Sequence, residues 1–277
     1  MLSDARLQEL AARLTTVGGV VGVTLGGSRA RREHEPESDV DLGLYYRAPL
    51  DVVALGSLAR DVAGPGAEVS LPGAWGPWVD GGAWLNVDGT AVDWIYRDVD
   101  RVRASYEEAR QGQVTFFFQV GHPLGVPGFA YAGELALGIP LADPSGELEA
   151  LRRQVGHYPP ALGKALVDRL WEAGFCLGIA RKAMSRADTA YVAGCVFRAV
   201  ELCAHALHGR AGRWLVNEKG AVAAAGRLPE APRKFATRAQ GVLAHLGSEP
   251  DQLAAAIRTA AELLADVEAA CSDAPRS

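Results

Sequence analysis

Hydrophobic and polar positions change their period along the chain, and this change divides it into two parts. In the first part, short apolar segments alternate with polar residues at a period of two, as half-buried strands do. From residue 147 almost to the end, apolar residues recur at steps of three and four, as in amphipathic helices. The pattern predicts an α+β fold, with a mixed β-sheet domain at residues 1–147 and a C-terminal helical bundle at residues 148–277.

Local signals predict the elements of each part. Ser3 can cap a first helix that carries Leu7, Leu10 and Leu14, and Asp88-Gly89 is a hairpin turn signal. In the first part we expect strands at 20–25, 39–46, 68–71, 83–87 and 91–96, helices at 51–63 and 99–111, a loop at 31–38, and strand and loop over 114–146. In the second part, apolar stripes predict helices at 162–184, 192–209 and 253–267.

Two carboxylates lie on one face of the second predicted strand. Val40, Leu42 and Leu44 alternate with Asp39 and Asp41, so the apolar set faces a core and the two aspartates face away from it. The preceding strand delivers the chain into the turn Gly26-Gly27-Ser28-Arg29. Backbone amides of such a turn, together with a serine hydroxyl, can hold phosphate oxygens, and carboxylates bind Mg²⁺. These residues predict a metal–phosphate site for nucleotidyl transfer.

A third acid lies on another predicted strand. In Val92-Asp93-Trp94 the apolar neighbours face the core and Asp93 faces the other way. Nucleotidyl transfer needs a neutralised triphosphate, an activated acceptor and a stabilised pyrophosphate, and two Mg²⁺ ions can serve the first and last needs. Asp39 and Asp41 are the predicted metal ligands. Asp93 either completes the metal site or takes the proton of the acceptor hydroxyl.

This arrangement resembles the nucleotidyltransferase superfamily, in which Gly-Ser, about ten further residues, Asp-x-Asp and a later acid on a strand form the motif. The matching residues are Gly27-Ser28, Asp39-Val40-Asp41 and Asp93. The chain looks most like small bacterial nucleotidyltransferases that act on aminoglycosides and lincosamides. That likeness implies a DNA polymerase β-like catalytic domain at 1–147 and a helical domain at 148–277 that closes an acceptor cleft. Several of those enzymes carry a glutamate where this chain has Asp93, which leaves the role of Asp93 open.

Further residues complete the predicted nucleotide site. Gly27 and Ser28 would hold the β- and γ-phosphates, Arg29 would add positive charge, and Ser38 would add a hydroxyl. In related enzymes a lysine of the helical domain reaches the triphosphate. The candidates are Lys219, in the polar segment 213–220, and Lys182, near the end of a predicted helix. For each of these residues there is an alternative role. Arg29 could pair with a carboxylate, Lys219 could be a solvated residue beside a helix start, and Lys182 could stabilise the negative end of the helix dipole.

Three tryptophans, Trp75, Trp78 and Trp84, could form a stacking surface for a base or a sugar ring, or could pack in the core.

Composition narrows the choice of partner. The chain has 277 residues and a formal net charge of −5, which argues against a broad electrostatic grip on polynucleotides. The four cysteines show no CxxC spacing, the N-terminus has no signal-peptide pattern, and no apolar run is long enough for a membrane span. We therefore expect a cytoplasmic protein with no membrane partner. The sequence does not reveal its oligomeric state.

Taken together, these features predict an Mg²⁺-dependent nucleotidyltransferase that moves a nucleoside monophosphate, AMP from ATP or the equivalent from another NTP, to a hydroxyl group. The acceptor would be a small molecule, such as an antibiotic or another natural product, in a cleft between the domains. Two alternatives stay open at this point. One is modification of a protein or tRNA, as in toxin–antitoxin nucleotidyltransferases, and the other is a nucleotide-binding protein without turnover.

Overall fold

The computed structural model describes residues 2–30 and 38–272, so the predicted loop at 31–38 falls outside it except for Ser38. The chain forms two compact units. The first comprises residues 1–107, 119–121 and 128–157, and the second comprises residues 108–118, 122–127 and 158–277. The boundary that the sequence predicts at residue 147 stays a prediction.

Seven strands form two sheets in the described part of the chain. The larger is mixed, with the strand order β3-β4-β2-β1-β7, and the smaller pairs β5 with β6. Within the larger sheet, β2 and β4 are parallel, whereas the other neighbouring pairs are antiparallel. The strands are β1 Val20–Leu25, β2 Val40–Tyr46, β3 Gly82–Val87, β4 Thr90–Asp98, β5 Phe116–Gln119, β6 His122–Pro127 and β7 Ile139–Ala142.

Helices precede, separate and follow these strands, and the described residues contain twelve of them. Ser3 caps the first one, as predicted, by accepting a hydrogen bond from the Arg6 amide at 3.3 Å. The helices are α1 Asp4–Leu14, α2 Gly27–Ala30, α3 Val52–Ala63, α4 Val99–Arg110, α5 Ala130–Leu137, α6 Glu147–Val155, α7 Pro160–Asp168, α8 Leu170–Met184, α9 Thr189–Arg210, α10 Ala221–Ala225, α11 Phe235–Ala244 and α12 Pro250–Ser272. The predicted α+β class, with a mixed sheet followed by a largely helical region, is confirmed.

The larger sheet buries one face in a hydrophobic core. Val40, Leu42 and Leu44 of β2 are fully buried there, as their alternation predicts. Apolar side chains of β3, β4, α1 and α3 complete this core. The polar residues of β2 and β4 therefore lie on the opposite face.

Three sequence predictions need correction. Residues 68–71 do not form a strand. Ser70 is bonded to Gly82 on the neighbouring segment through its amide and its hydroxyl, which does not make a continuous ladder of backbone hydrogen bonds. The segment 114–146 contains the helix α5, which is mostly buried and therefore shows no amphipathic period. The helix predicted at 162–184 is two helices that meet at Arg169, where the Glu172 amide bonds three residues back to the Arg169 carbonyl and tightens the turn.

Helix α9 lies at the centre of the core of the second unit. Most of its residues are buried, and helices α8, α10, α11 and α12 supply the surrounding apolar side chains. Among the described residues, α9 alone is long and apolar enough to cross a membrane by length and composition. Its burial is that of the core helix of a folded domain, so this signal is weak.

Candidate active site

Gly27 begins the short helix α2 in a conformation and a space that favour glycine. Its φ is +60°, in the left-handed region, and a Cβ built there would lie 1.7 Å from Oδ2 of Asp41. The neighbouring Gly26 amide donates to the Asp41 carbonyl at 2.8 Å. The glycine turn and the Asp41 carboxylate are therefore in direct contact, as the motif predicts for residues that share a ligand.

Asp41 and Asp93 are nearest neighbours across the parallel pair β2–β4. Residues paired in this way have side chains on the same face, which here is the face opposite the core. Partial burial raises the pKa of the Asp93 carboxyl to about 6, and the charges of Asp41 and then Asp39 add to the shift. Asp39 is exposed and directly precedes β2. The three predicted acids are therefore close enough for the charges of Asp41 and Asp39 to affect the ionisation of Asp93.

Arg29 makes contacts that the sequence does not reveal. Its Nε donates to the Asp39 carbonyl at 3.1 Å, and its Nη2 donates to the Ser38 carbonyl at 2.7 Å. The guanidinium therefore ties α2 to the segment that leads into β2. Ser38 is half-buried, and the side chain of Ser28 lies outside the described part of the structure. The phosphate contacts assigned to Arg29, Ser38 and Ser28 stay predictions.

The two predicted lysines belong to the second unit, whereas the aspartates belong to the first. Lys182 is exposed in the last turn of α8. Lys219 is exposed just before α10, and its backbone amide donates to Oδ1 of Asn217 at 2.7 Å. Their contact with a triphosphate stays a prediction.

An ion pair on the same face of the sheet is not apparent from the sequence. Arg97, four residues after Asp93 on β4, donates from Nη2 to Oε1 of Glu134 at 2.9 Å. Its Nη1 also donates to the carbonyls of Val79 and Tyr96, at 3.1 and 2.8 Å. Alternation along β4 places Arg97 on this face, but its partner lies on α5, the helix that the sequence pattern conceals.

The acids fit a hard divalent cation by their chemistry. Carboxylate oxygens are the donors that Mg²⁺ takes. Burial is the main cause of the raised pKa of Asp93, and the negative charges of Asp41 and Asp39, which a cation would offset, add to it. Among residues 2–30 and 38–272, no group of three or more His, Cys, Asp or Glu side chains is already arranged to hold a metal ion. Asp39, Asp41 and Asp93 are therefore candidate ligands rather than a preformed metal centre.

The segment that holds the glycine turn and two of the acids is similar to a known protein domain. Residues 7–52 match the family model described as a nucleotidyltransferase domain, a segment that contains the Gly27 turn, Asp39 and Asp41. No curated protein sequence matches the chain. Among solved structures, a nucleotidyltransferase-like protein from Exiguobacterium sibiricum 255-15 is 12% identical, over 95% of this chain and 74% of that one, with a TM-score of 0.46. The match over residues 7–52 supports the predicted nucleotidyltransferase superfamily and a transferase of the nucleotidyltransferase class.

Proposed function

We propose that the protein is an Mg²⁺-dependent nucleotidyltransferase that moves a nucleoside monophosphate, AMP from ATP, to a hydroxyl group of a small acceptor. The observation that carries this proposal is the side-by-side pair Asp41–Asp93 with the Gly27 turn in contact with Asp41. An acid pair for a cation and a left-handed glycine turn for phosphates are the two parts that nucleotide chemistry needs. A cytoplasmic location is part of the proposal.

We propose separate roles for the residues that bind phosphate and those that bind the metal. The Gly27 turn with Ser28, Arg29 and Ser38 holds the β- and γ-phosphates, and Lys182 and Lys219 are proposed to add positive charge. Asp39 and Asp41 would hold Mg²⁺, as two ions, with Asp93 as the third acid. Ions held by these acids would neutralise the triphosphate and help to orient the α-phosphorus for attack.

Asp93 is also the proposed base. In the metal-free protein, a pKa of about 6 makes this carboxylate a better proton acceptor than an ordinary aspartate while leaving it ionised at neutral pH. The acceptor oxygen forms a bond to the α-phosphorus, the bond from the α-phosphorus to its bridging oxygen breaks, and pyrophosphate leaves. The acceptor proton passes to an oxygen of Asp93.

The acceptor class is proposed from resemblance. Small bacterial enzymes with this motif act on aminoglycosides and lincosamides, so an antibiotic or a similar natural product is the first choice. The net charge of −5 suits a cationic or neutral small molecule better than a polynucleotide.

The test is a transfer assay with a matched pair of variants. The protein is incubated with Mg²⁺, each of the four NTPs and an antibiotic panel or a cell extract, and pyrophosphate release and mass shifts are measured. Asp41→Asn should lower turnover at least 100-fold. Asp88→Asn makes the same change on the exposed hairpin turn, where Asn-Gly is favourable, and should leave turnover unchanged.

The outcomes of this assay distinguish the candidate functions. A mass shift of one nucleotide on a small molecule supports the proposal, whereas a shift on protein or RNA supports modification of a macromolecule. Nucleotide binding without turnover on any acceptor would indicate a binding protein. Wild-type turnover in Asp41→Asn would overturn the metal assignment.

A further inference from the structure

The acid pair extends into a row of three residues across the sheet. Trp84 on β3 is paired directly with Asp93 on β4, and Asp93 is paired directly with Asp41 on β2. All three side chains therefore lie on the face opposite the core. Neighbouring strands are about 5 Å apart, which puts Trp84 about 5 Å from Asp93 and about 10 Å from Asp41, measured between backbones.

Trp84 is unusually exposed for a tryptophan. Its side chain is 71% exposed, whereas Trp94, on the opposite face of the same sheet, is fully buried. Trp84 thus takes no part in the core, although the sequence left core packing open for it. A large, exposed apolar ring directly beside a carboxylate suits a surface that a ligand covers.

A second tryptophan supports one side of this ring. Trp75 stacks on Trp84 with a centroid distance of 4.2 Å and an angle of 10° between the planes. Because the rings are nearly parallel, Trp75 covers one face of the Trp84 indole. The high exposure of Trp84 then belongs to its other face and its edges.

Hydrogen bonds hold Trp75 in place. Its amide donates to the Asp80 carbonyl at 3.0 Å, and its carbonyl accepts from Nε2 of Gln119 at 2.8 Å. The buried Asp80 carboxylate in turn accepts from the Gly73 amide at 2.7 Å and from the Tyr46 hydroxyl at 3.0 Å. The stacked pair is therefore positioned before any ligand arrives, which lowers the entropic cost of binding.

We propose that Trp84, resting on Trp75, is the platform for a ring of the acceptor, so that the acceptor is a cyclic alcohol whose reactive hydroxyl lies on or next to that ring. The inference rests on the proposed function. The row of Asp41, Asp93 and Trp84 indicates where the two substrates would bind. The turn proposed to hold the phosphates contacts Asp41, at one end of the row, and Trp84 is at the other end, beyond Asp93. In-line displacement requires the acceptor oxygen to arrive opposite the departing pyrophosphate, which is the side of Trp84.

The test compares three variants in two assays. Trp84→Ala removes the platform, Trp84→Phe keeps an aromatic ring, and Trp171→Ala removes another exposed tryptophan from α8 as a matched control. Binding is measured by saturation-transfer NMR with kanamycin, lincomycin and myo-inositol as ring alcohols and sorbitol as an acyclic alcohol. Steady-state transfer kinetics then give KM for the acceptor and for the NTP separately.

We expect at least one ring alcohol, but not sorbitol, to bind the wild type. Trp84→Ala should raise its Kd or acceptor KM about tenfold or more, with the KM for NTP changed less than twofold. Trp84→Phe should recover most of the loss, and Trp171→Ala should match the wild type. A purely structural role would not separate the acceptor KM from that of the NTP.

Failure of the platform and failure of the proposed function give different results. Transfer with an unchanged acceptor KM in Trp84→Ala, or a rise in the KM for NTP instead, overturns the platform and leaves the transferase standing. The absence of any binding by ring alcohols also overturns it. Ring binding that depends on Trp84, without transfer of a nucleotide, supports the platform and counts against the proposed function.

Discussion

Replacing Asp93 by asparagine should stabilise the metal-free protein while it removes the proposed base. Burial and the charges of Asp41 and Asp39 raise the pKa of Asp93 from 3.8 to about 6. A shift of this size corresponds to roughly 3 kcal/mol, and solvent screening of a partly buried group reduces it to about 1–2 kcal/mol. This is the amount by which ionised Asp93 weakens the folded state.

The sign of the pH dependence follows from the direction of the shift. Between about pH 4 and pH 6 the unfolded chain releases the Asp93 proton while the folded protein keeps it, so stability falls as the pH rises through this window and stays low above it. Asp93→Asn is neutral at every pH. It should therefore raise the free energy of unfolding by about 1–2 kcal/mol at pH 8, and the gain should shrink toward zero below pH 4.

The assay is urea unfolding with EDTA at pH 4, 6 and 8, comparing midpoints at equal slope. Glu262→Gln, an isosteric neutralisation at an exposed position of α12, is the matched control and should change stability by less than about 0.5 kcal/mol at each pH. The reasoning fails if Asp93→Asn is no more stable than the wild type at pH 8, or if its gain is the same at all three pH values.

Two further predictions concern the glycine turn and the helical unit. Gly27→Ala should lower turnover at least 100-fold, because the new Cβ would lie 1.7 Å from an Asp41 oxygen. Gly89→Ala is the control: its φ is +77° and nothing lies within 4 Å of the new Cβ, so it should lower stability without changing turnover. Similar kinetics for both variants would contradict this prediction. Glu201 is 4% exposed, and burial together with the charge of a neighbouring glutamate raises its pKa to about 7. The stability of the wild type should therefore fall as the pH rises from about 4.5 to 7. Glu201→Gln, which stays neutral, should raise the free energy of unfolding at pH 8 by about 2–3 kcal/mol. A lower urea midpoint for this variant than for the wild type at pH 8 would refute the assigned charge state.

Local signals in the sequence predict much of the first unit. The alternation of Val40, Leu42 and Leu44 predicts which face of β2 is buried, and hence where Asp41 points. The Asp88-Gly89 turn is likewise predicted, and both residues have positive φ in the hairpin between β3 and β4. These features depend on the period of two along a strand and on the chemistry of a two-residue turn, which neighbouring residues determine.

Helix boundaries were less well determined where the apolar pattern is continuous or fully buried. The stripe through 162–184 runs across Arg169 without a change of period, because a single tightened turn shifts the following residues very little. Helix α5 is concealed because most of its positions are buried and no polar face marks it.

The sequence by itself determined the turn at Gly27, the faces of the strands that carry Asp41 and Asp93, and the change to helices in the second half. Only the tertiary structure decided that β2 and β4 pair in parallel with Asp41 beside Asp93, that Trp84 continues this row, and that Glu134 meets Arg97. The physical reason is the range of the interactions. Periodicity and turn chemistry act between residues close in sequence, whereas strand order, register and ion pairing depend on segments far apart in the chain that meet only in the folded state.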